Sequence, residues 1–133
     1  MALHVKRRHH PDWLRVRIPS GATYNRIRNT LKENKVNTVC EEAKCPNIAE
    51  CYGRGTATFL IMGDVCTRKC LYCNISSGTP KTLDRQEPGK IADTVKRLNL
   101  NYVVITSVTR NDLQDFGAEQ FYNTVSEIRK LKP

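Results

Sequence analysis

Residues 56–73, TATFLIMGDVCTRKCLYC, join a compact apolar run to three closely spaced cysteines. The run at 56–62 has the length and composition of a strand, and a glycine ends it. Cys66, Cys70 and Cys73 follow at C-x3-C-x2-C spacing. Because α/β barrels assemble their active sites at the carboxyl ends of strands, this stretch predicts both a fold class and the position of a site.

The other three cysteines form a second group upstream: Cys40, Cys45 and Cys51, at C-x4-C-x5-C spacing. Clustering of all six within one short part of the chain suits metal ligation better than three disulfides, for which the spacing offers no preferred pairing. Each group is one thiolate short of a closed four-ligand site. An open position of that kind is where a bound cluster can react.

Zinc is the alternative metal. A structural zinc site takes four ligands, usually from two closely spaced cysteine or histidine pairs, whereas these cysteines come in threes. The three histidines lie far upstream, at positions 4, 9 and 10, and one shared four-ligand site would leave two thiols over. Iron–sulfur clusters accept three protein thiolates with another ligand on the remaining iron, so the spacing favours two such clusters.

The rest of the chain alternates short apolar strands with amphipathic helices. Apolar residues at helical spacing predict three helices, the first with Ser20 as its N-cap, and β-branched residues predict a second, buried strand. The predicted helices span 20–35, 89–98 and 117–131, and the second strand spans 102–106. The predicted loops span 36–55 (with helical turns), 74–88 and 107–116. Residues 13–18 are predicted to form an edge strand or an extended arm packed on the body.

This order of elements predicts the α/β class, with a parallel sheet and helices on its outer face. Two strand–helix units are too few to close a barrel. The chain stops at Pro133, where another strand should follow. We therefore expect a fragment of a longer protein.

The net charge of +9 is concentrated at the amino-terminal end, where residues 1–35 carry nine Lys and Arg side chains and two acids. Such an arm suits nucleic acid, but few aromatics are interleaved with the charges, which favours a solvated basic face or a surface that docks an acidic protein. No apolar run approaches the ~20 residues of a membrane span, and no secretion signal begins the chain. We expect a cytoplasmic protein without a membrane or nucleic-acid partner.

Two motifs carry a family resemblance. Residues 66–73, CTRKCLYC, resemble the signature loop of radical S-adenosylmethionine enzymes, C-x3-C-x-aromatic-C. Residues 39–51, VCEEAKCPNIAEC, are similar to the auxiliary-cluster motif of the lipoyl synthases, which is far more specific. Residues 11–19 and 106–113 agree with the same family. The resemblance covers nearly the whole chain from about residue 11 and matches the N-terminal part of that family.

The resemblance implies an N-terminal cluster-binding extension at residues 1–52 and, at 53–133, the truncated first part of a (βα)6 TIM-barrel-like radical S-adenosylmethionine core. It also implies two [4Fe-4S] clusters. One has an open iron that binds S-adenosylmethionine, and one electron from it releases a 5′-deoxyadenosyl radical. The other is an auxiliary cluster consumed as the sulfur source. The implied ligands are Cys66, Cys70 and Cys73 for the first, and Cys40, Cys45 and Cys51 for the second.

The resemblance further implies the residues that contact S-adenosylmethionine, and no catalytic residue beyond the cluster ligands. Tyr72 falls at the aromatic position beside the adenosyl group, with ordinary packing as the alternative. Thr106, Ser107 and Asp112 follow the second strand and would bind the methionyl end, with a loop cap as the alternative. Three positions depart from the acidic, acidic and glycine residues typical of the family: Thr109, Asn111 and Phe116.

The implied activity is that of a sulfurtransferase, which inserts two sulfur atoms at C6 and C8 of a protein-bound octanoyl group. Its partners would be an octanoylated lipoyl domain or carrier protein and a reducing electron-transfer protein. The family closes its auxiliary cluster with a serine from an Arg-Ser-Ser-Tyr motif that this chain lacks, so we expect the chain alone to be inactive. The alternatives are another two-cluster radical enzyme, such as an RNA methylthiotransferase, and a zinc-stabilised nucleic-acid-binding module.

Overall fold

The structure of the chain, a computed structural model, describes residues 11–14 and 18–131. The helices of this part are a 3-10 turn at Asp12–Leu14, α1 at Ala22–Asn34, α2 at Val39–Glu42, α3 at Ile48–Gly53, α4 at Glu87–Leu98 and α5 at Ala118–Arg129. The strands are β1 at Asn37–Thr38, β2 at Thr58–Ile61, β3 at Val65–Cys66, β4 at Ser76–Ser77 and β5 at Val104–Ser107.

The central strand of the main sheet is β2, and the strand order is β1-β2-β5. Strands β2 and β5 are parallel, with Ile61 opposite Ser107, so their carboxyl ends lie side by side. The predicted α/β class and parallel pair are confirmed, and the barrel stays a prediction. Strand β1 pairs antiparallel with β2 in a segment that we predicted as loop. Two residues are too few to show a strand pattern in the sequence.

The core lies where the helices pack on the sheet. Phe59 of β2 is fully buried, as is Ile91 of α4, and Ile27 and Leu31 of α1 are each 1% exposed. Helix α4 contacts both α1 and α5, so one apolar cluster joins the sheet to the helices. Each such side chain contributes about 1.5–3 kcal/mol by leaving water, which explains why apolar residues at helical spacing located these helices correctly.

Strand β4 at Ser76–Ser77 also lies in a segment that we predicted as loop. Three further local predictions were wrong. The first helix begins at Ala22 and its N-cap is Gly21, at φ 107, so Ser20 does not cap it. The second strand, predicted as buried over 102–106, begins at Val104, and Tyr102 before it is exposed. Strand β5 is half-buried, because it has a partner strand on only one side in the described sheet.

The third concerns the segment at 13–18. A 3-10 turn occupies its start, and Trp13 and Ile18 are 80% and 85% exposed, so the described residues of the segment neither form a strand nor pack on the body. The part of that prediction at 15–17 lies outside the described residues. Across the described part of the chain, no helix is both long and apolar enough to cross a membrane.

Candidate metal centre

The second cysteine group lies at the carboxyl edge of the parallel strands. Strand β3, which ends at Cys66, begins four residues after β2, and the loop after β5 reaches it. The backbone N–H of Thr109 donates a hydrogen bond of 3.2 Å to Cys66 Sγ. A second N–H, that of Arg68, lies 3.4 Å from the same sulfur. The register of β2 and β5 therefore brings Cys66 to the loop that contains Asp112.

Thr67 fastens the cysteine loop to the loop after β5. Its N–H and its hydroxyl both donate to the Thr109 carbonyl, at 3.0 and 2.9 Å. The Thr67 hydroxyl oxygen also accepts a hydrogen bond of 3.1 Å from the Asn111 N–H. At the far end of the loop, the Gly78 N–H donates to the Cys66 carbonyl at 2.9 Å. The segment that contains the second cysteine group is thus held at both ends.

The sulfur of Cys66 is suited to the thiolate form. Burial alone would raise the pKa of this thiol, but the N–H groups of Arg68 and Thr109 and the Arg68 charge outweigh it, and the pKa is lowered. The thiolate is the form that binds metals. Cys70 and Cys73 lie in one turn, with the Cys73 N–H donating to the Cys70 carbonyl at 3.1 Å.

Leu71 and Tyr72, at the tip of that turn, are exposed to solvent by 103% and 93%. The described part of the chain therefore offers Tyr72 no packed environment of its own. Its assignment as the aromatic beside the adenosyl group stays a prediction. Thr106 and Ser107 are half-buried on β5, opposite Leu60 and Ile61, and their assignment also stays a prediction.

The first cysteine group is a set of neighbouring thiols on α2, on α3 and between them. Burial raises the pKa of Cys40, and the charges of Cys51 and Cys45 raise it further. A bound cation would relieve the repulsion, because it favours the thiolate form.

A buried hydrogen bond joins the two helices of this first group. The hydroxyls of Thr38 and Tyr52 are 2.8 Å apart, and both side chains are fully buried. Thr38 also caps α2 by accepting a hydrogen bond from the Glu41 N–H. Tyr52 follows Cys51 directly and packs on Tyr24, with ring centroids 5.6 Å apart. The pair therefore fixes α2 against α3.

A hydrogen bond joins the segments that contain the two cysteine groups. The Asn74 side chain, one residue after Cys73, donates a hydrogen bond of 2.9 Å to the Ala43 carbonyl, which lies between Cys40 and Cys45. Glu42 beside it has a raised pKa, because it is buried and because Asp64 and Glu41 repel its charge. Residues about thirty apart in sequence thus stand side by side, and the segments that contain the two cysteine groups are in contact.

All six cysteines are free thiols. In residues 11–14 and 18–131, no three His, Cys, Asp or Glu side chains converge on a position for a single metal ion. A cluster of several irons distributes its thiolates over different iron atoms, so it does not need one point of convergence. Two groups of three free thiols therefore fit iron–sulfur clusters by the chemistry of their donors.

A buried arginine that we did not predict as a site residue stands beside this region. Arg110 is 3% exposed, and its Nε and one terminal nitrogen donate to the Asp112 carboxylate at 2.9 and 2.7 Å. Its terminal nitrogens also donate to the carbonyls of Met62 and Lys81, each at 3.1 Å. The hydrogen bond from Arg110 lowers the pKa of Asp112. Asp112 is thereby held as a carboxylate at the mouth of a cleft of about 780 Å³.

The backbone N–H of Met62 is also bound by a side chain. Both carboxylate oxygens of Glu87 accept a hydrogen bond from the Met62 N–H, at 3.0 Å each. Gln120 of α5 donates to the same carboxylate at 2.8 Å. The backbone just beyond β2 is therefore held through both its N–H and its carbonyl. The sequence gives little signal for the roles of Glu87, Gln120 and Arg110, because an isolated Glu, Gln or Arg in a loop or helix normally faces water.

The comparisons with known proteins agree on one family. A family model described as the N-terminal domain of lipoyl synthase, of the radical SAM family, matches residues 3–45. A lipoyl synthase from Alcanivorax borkumensis is 54% identical over 123 residues, which are 92% of this chain and 38% of the relative. One from Caldicellulosiruptor saccharolyticus is 54% identical over 92% of this chain and 43% of the relative.

A more distant example, the lipoyl synthase from Chromobacterium violaceum, is 48% identical over 92% of this chain and 39% of the relative. The chain thus spans about two fifths of the length of the curated relatives that it matches. The matched part includes both cysteine groups. Over 92% of its length, the chain is thus similar to part of the lipoyl synthases, which are radical S-adenosylmethionine proteins.

Proposed function

We propose that this chain provides the two iron–sulfur sites of a lipoyl synthase, which inserts two sulfur atoms at C6 and C8 of a protein-bound octanoyl group. The observation that carries the proposal is the hydrogen bond between the segments that contain the two cysteine groups, where Asn74 donates to the Ala43 carbonyl. A reaction that removes hydrogen at one site and supplies sulfur from another requires both near the same carbon. Similarity to the lipoyl synthases supports the same activity.

Cys66, Cys70 and Cys73 would hold the first [4Fe-4S] cluster, and Cys40, Cys45 and Cys51 the auxiliary one. When bound, the first cluster and S-adenosylmethionine supply a radical that removes hydrogen from an unactivated C–H bond, which acid–base side chains cannot do. The residues of the chain bind and orient these groups. The auxiliary cluster would take its fourth ligand from outside this chain.

Four side chains are proposed to contact S-adenosylmethionine: Tyr72, Thr106, Ser107 and Asp112. The exposure of Tyr72 supports a role for its ring in contacting the adenosyl group, since the ring is available. The guanidinium of Arg110 fixes the Asp112 carboxylate, which lines the cleft. We assign Arg110 as a positioning residue for that carboxylate.

The proposed partners are an octanoylated lipoyl domain or carrier protein and a reducing electron-transfer protein, in the cytoplasm. Three exposed cations on and directly after α1, Arg26, Lys32 and Lys35, support docking of an acidic protein surface. Docking of this kind accelerates association and weakens as salt is added.

The experiment is anaerobic reconstitution of the chain with iron and sulfide, followed by electron paramagnetic resonance of the reduced protein. S-adenosylmethionine should change the signal of the cluster on the second cysteine group, and the C66A/C70A/C73A variant should lose that response. An octanoylated lipoyl domain should bind the chain more tightly than an RNA stem–loop. A colourless protein that binds only zinc, or a preference for RNA, would contradict the proposal.

A further inference from the structure

We propose that Thr67 is a positioning residue that sets the reduction potential of the cluster on the second cysteine group. It does so by keeping the Thr109 N–H on the sulfur of Cys66. The inference rests on the proposed function, because it needs a cluster ligated by Cys66, Cys70 and Cys73. It concerns the hydroxyl of one residue that is not itself a ligand.

The Cys66 sulfur receives two backbone N–H groups from different parts of the chain. The Arg68 N–H, at 3.4 Å, comes from the same loop and is fixed by local backbone geometry. The Thr109 N–H, at 3.2 Å, comes from the loop after β5, 43 residues away. Only the second can be lost by a small relative movement of the two loops.

The contacts that oppose such a movement converge on Thr67. Its N–H and hydroxyl donate to the Thr109 carbonyl at 3.0 and 2.9 Å, and its hydroxyl oxygen accepts from the Asn111 N–H at 3.1 Å. The hydroxyl is therefore donor and acceptor at once. Serine can reproduce both bonds, whereas valine, which has nearly the same shape, can make neither.

The electrostatic consequence follows from the direction of the N–H dipole. Reduction adds negative charge to the cluster and its sulfur ligands, and an N–H group aimed at a sulfur stabilises the reduced form more than the oxidised form. Hydrogen bonds to cluster sulfurs are among the factors that tune reduction potentials. Retreat of the Thr109 N–H should therefore make the cluster harder to reduce.

The test compares the unmodified chain with Thr67→Val and Thr67→Ser, each reconstituted with both clusters, by potentiometric titration followed with electron paramagnetic resonance. The C40A/C45A/C51A variant identifies the signal of the second group. We expect a more negative midpoint potential in Thr67→Val and an unchanged one in Thr67→Ser. The cluster on the first cysteine group should keep its potential in all three and serves as the internal reference.

A second measurement does not depend on any variant folding. In deuterated water, pulsed electron paramagnetic resonance of the unmodified chain should detect exchangeable deuterons coupled to the second-group cluster, from the two N–H groups at Cys66. Thr67→Val should lose one of these couplings. Absence of exchangeable couplings in the unmodified chain, or a wild-type potential in iron-loaded Thr67→Val, would overturn the inference alone. Failure of the unmodified chain to bind iron at the second group would overturn the proposed function as well.

Discussion

The guanidinium of Arg110 donates a hydrogen bond of 3.1 Å to the carbonyl of Met62, which ties the loop after β5 to the first residue beyond β2. The same guanidinium is paired with Asp112 and bound to the Lys81 carbonyl, and it is almost completely buried. Three chain segments thus depend on one side chain. The edge of the sheet that carries the candidate site is held together by this contact.

Replacement of Arg110 by alanine should lower the free energy of unfolding by about 1–3 kcal/mol, because the buried Met62 carbonyl loses its arginine partner. Arg85, an exposed arginine of the same cleft, is the matched control. Its replacement by alanine should change stability by less than about 0.5 kcal/mol. Urea unfolding of the three proteins measures both effects, and equal losses in the two variants would contradict the assignment.

Asp112 gives the chain a pH-dependent contribution to stability. Its pKa is lower in the folded chain, chiefly because Arg110 donates to it. A carboxylate of this kind stabilises the fold above its unfolded pKa, and the contribution is lost as the pH falls through the folded pKa. Asp112→Asn should therefore be less stable than the unmodified chain near neutral pH. The difference should vanish below the ordinary aspartate range.

Unfolding measured from pH 7 downward in both proteins checks this dependence. In an Arg110→Gln background, the effect of Asp112→Asn should no longer change with pH, because the partner that lowers the pKa is gone. A pH dependence that survives in that background would mean that another group holds the Asp112 carboxylate.

Gly117 is required by its left-handed backbone conformation. It has φ +91, and a Cβ at this position would overlap the sulfur of Met62, at the flexible end of that side chain. Gly117→Ala should cost about 1–2 kcal/mol for the left-handed backbone, and the Met62 side chain must also shift. Gly89, in the first turn of α4, has nothing within 4 Å of such a Cβ. Gly89→Ala should instead stabilise the chain by about 0.5–1 kcal/mol.

Thermal and urea unfolding of the two alanine variants would show opposite signs. A Gly117→Ala protein as stable as the unmodified chain would contradict the left-handed backbone at this position. The comparison is internal, because each variant makes the same chemical change at a glycine of the same chain.

The Thr38–Tyr52 hydrogen bond should show coupling in a double-mutant cycle. Thr38→Val and Tyr52→Phe should each cost about 1–3 kcal/mol, since each removes a buried partner. The double variant should cost less than their sum, because both single changes break the same bond. Thr38→Ser keeps the hydroxyl and is the control. Strictly additive losses would show that the two hydroxyls do not interact.

The sequence predicted the elements with strong periodic patterns. The spacing of Tyr24, Ile27 and Leu31 located α1 to within two residues at its start, and the apolar run at 56–62 located β2. Two-residue strands such as β1 were not predictable, since pairing with β2 rather than local pattern stabilises them. The same holds for the cap of α1, where backbone geometry at Gly21 replaces a side-chain bond.

For the site, cysteine spacing predicted the candidate ligands, whereas the contacts around those ligands could not be predicted from the sequence. Thr67 and Thr109 are 42 residues apart and Arg110 and Met62 are 48 apart, so only the parallel register of β2 with β5 brings them together. Nothing local to Arg110 distinguishes it from a surface arginine. Ligand type can thus be read from the sequence, whereas positioning residues depend on tertiary contacts.

The central claim is that each cysteine group binds its own iron–sulfur cluster, and iron stoichiometry tests it most directly. Iron and acid-labile sulfide are measured in the anaerobically reconstituted chain and in the C40A/C45A/C51A and C66A/C70A/C73A variants. We predict about eight iron atoms per unmodified chain and about four in each variant, as two independent four-iron clusters require. Zinc in place of iron, or loss of all iron in either variant, would contradict two independent clusters.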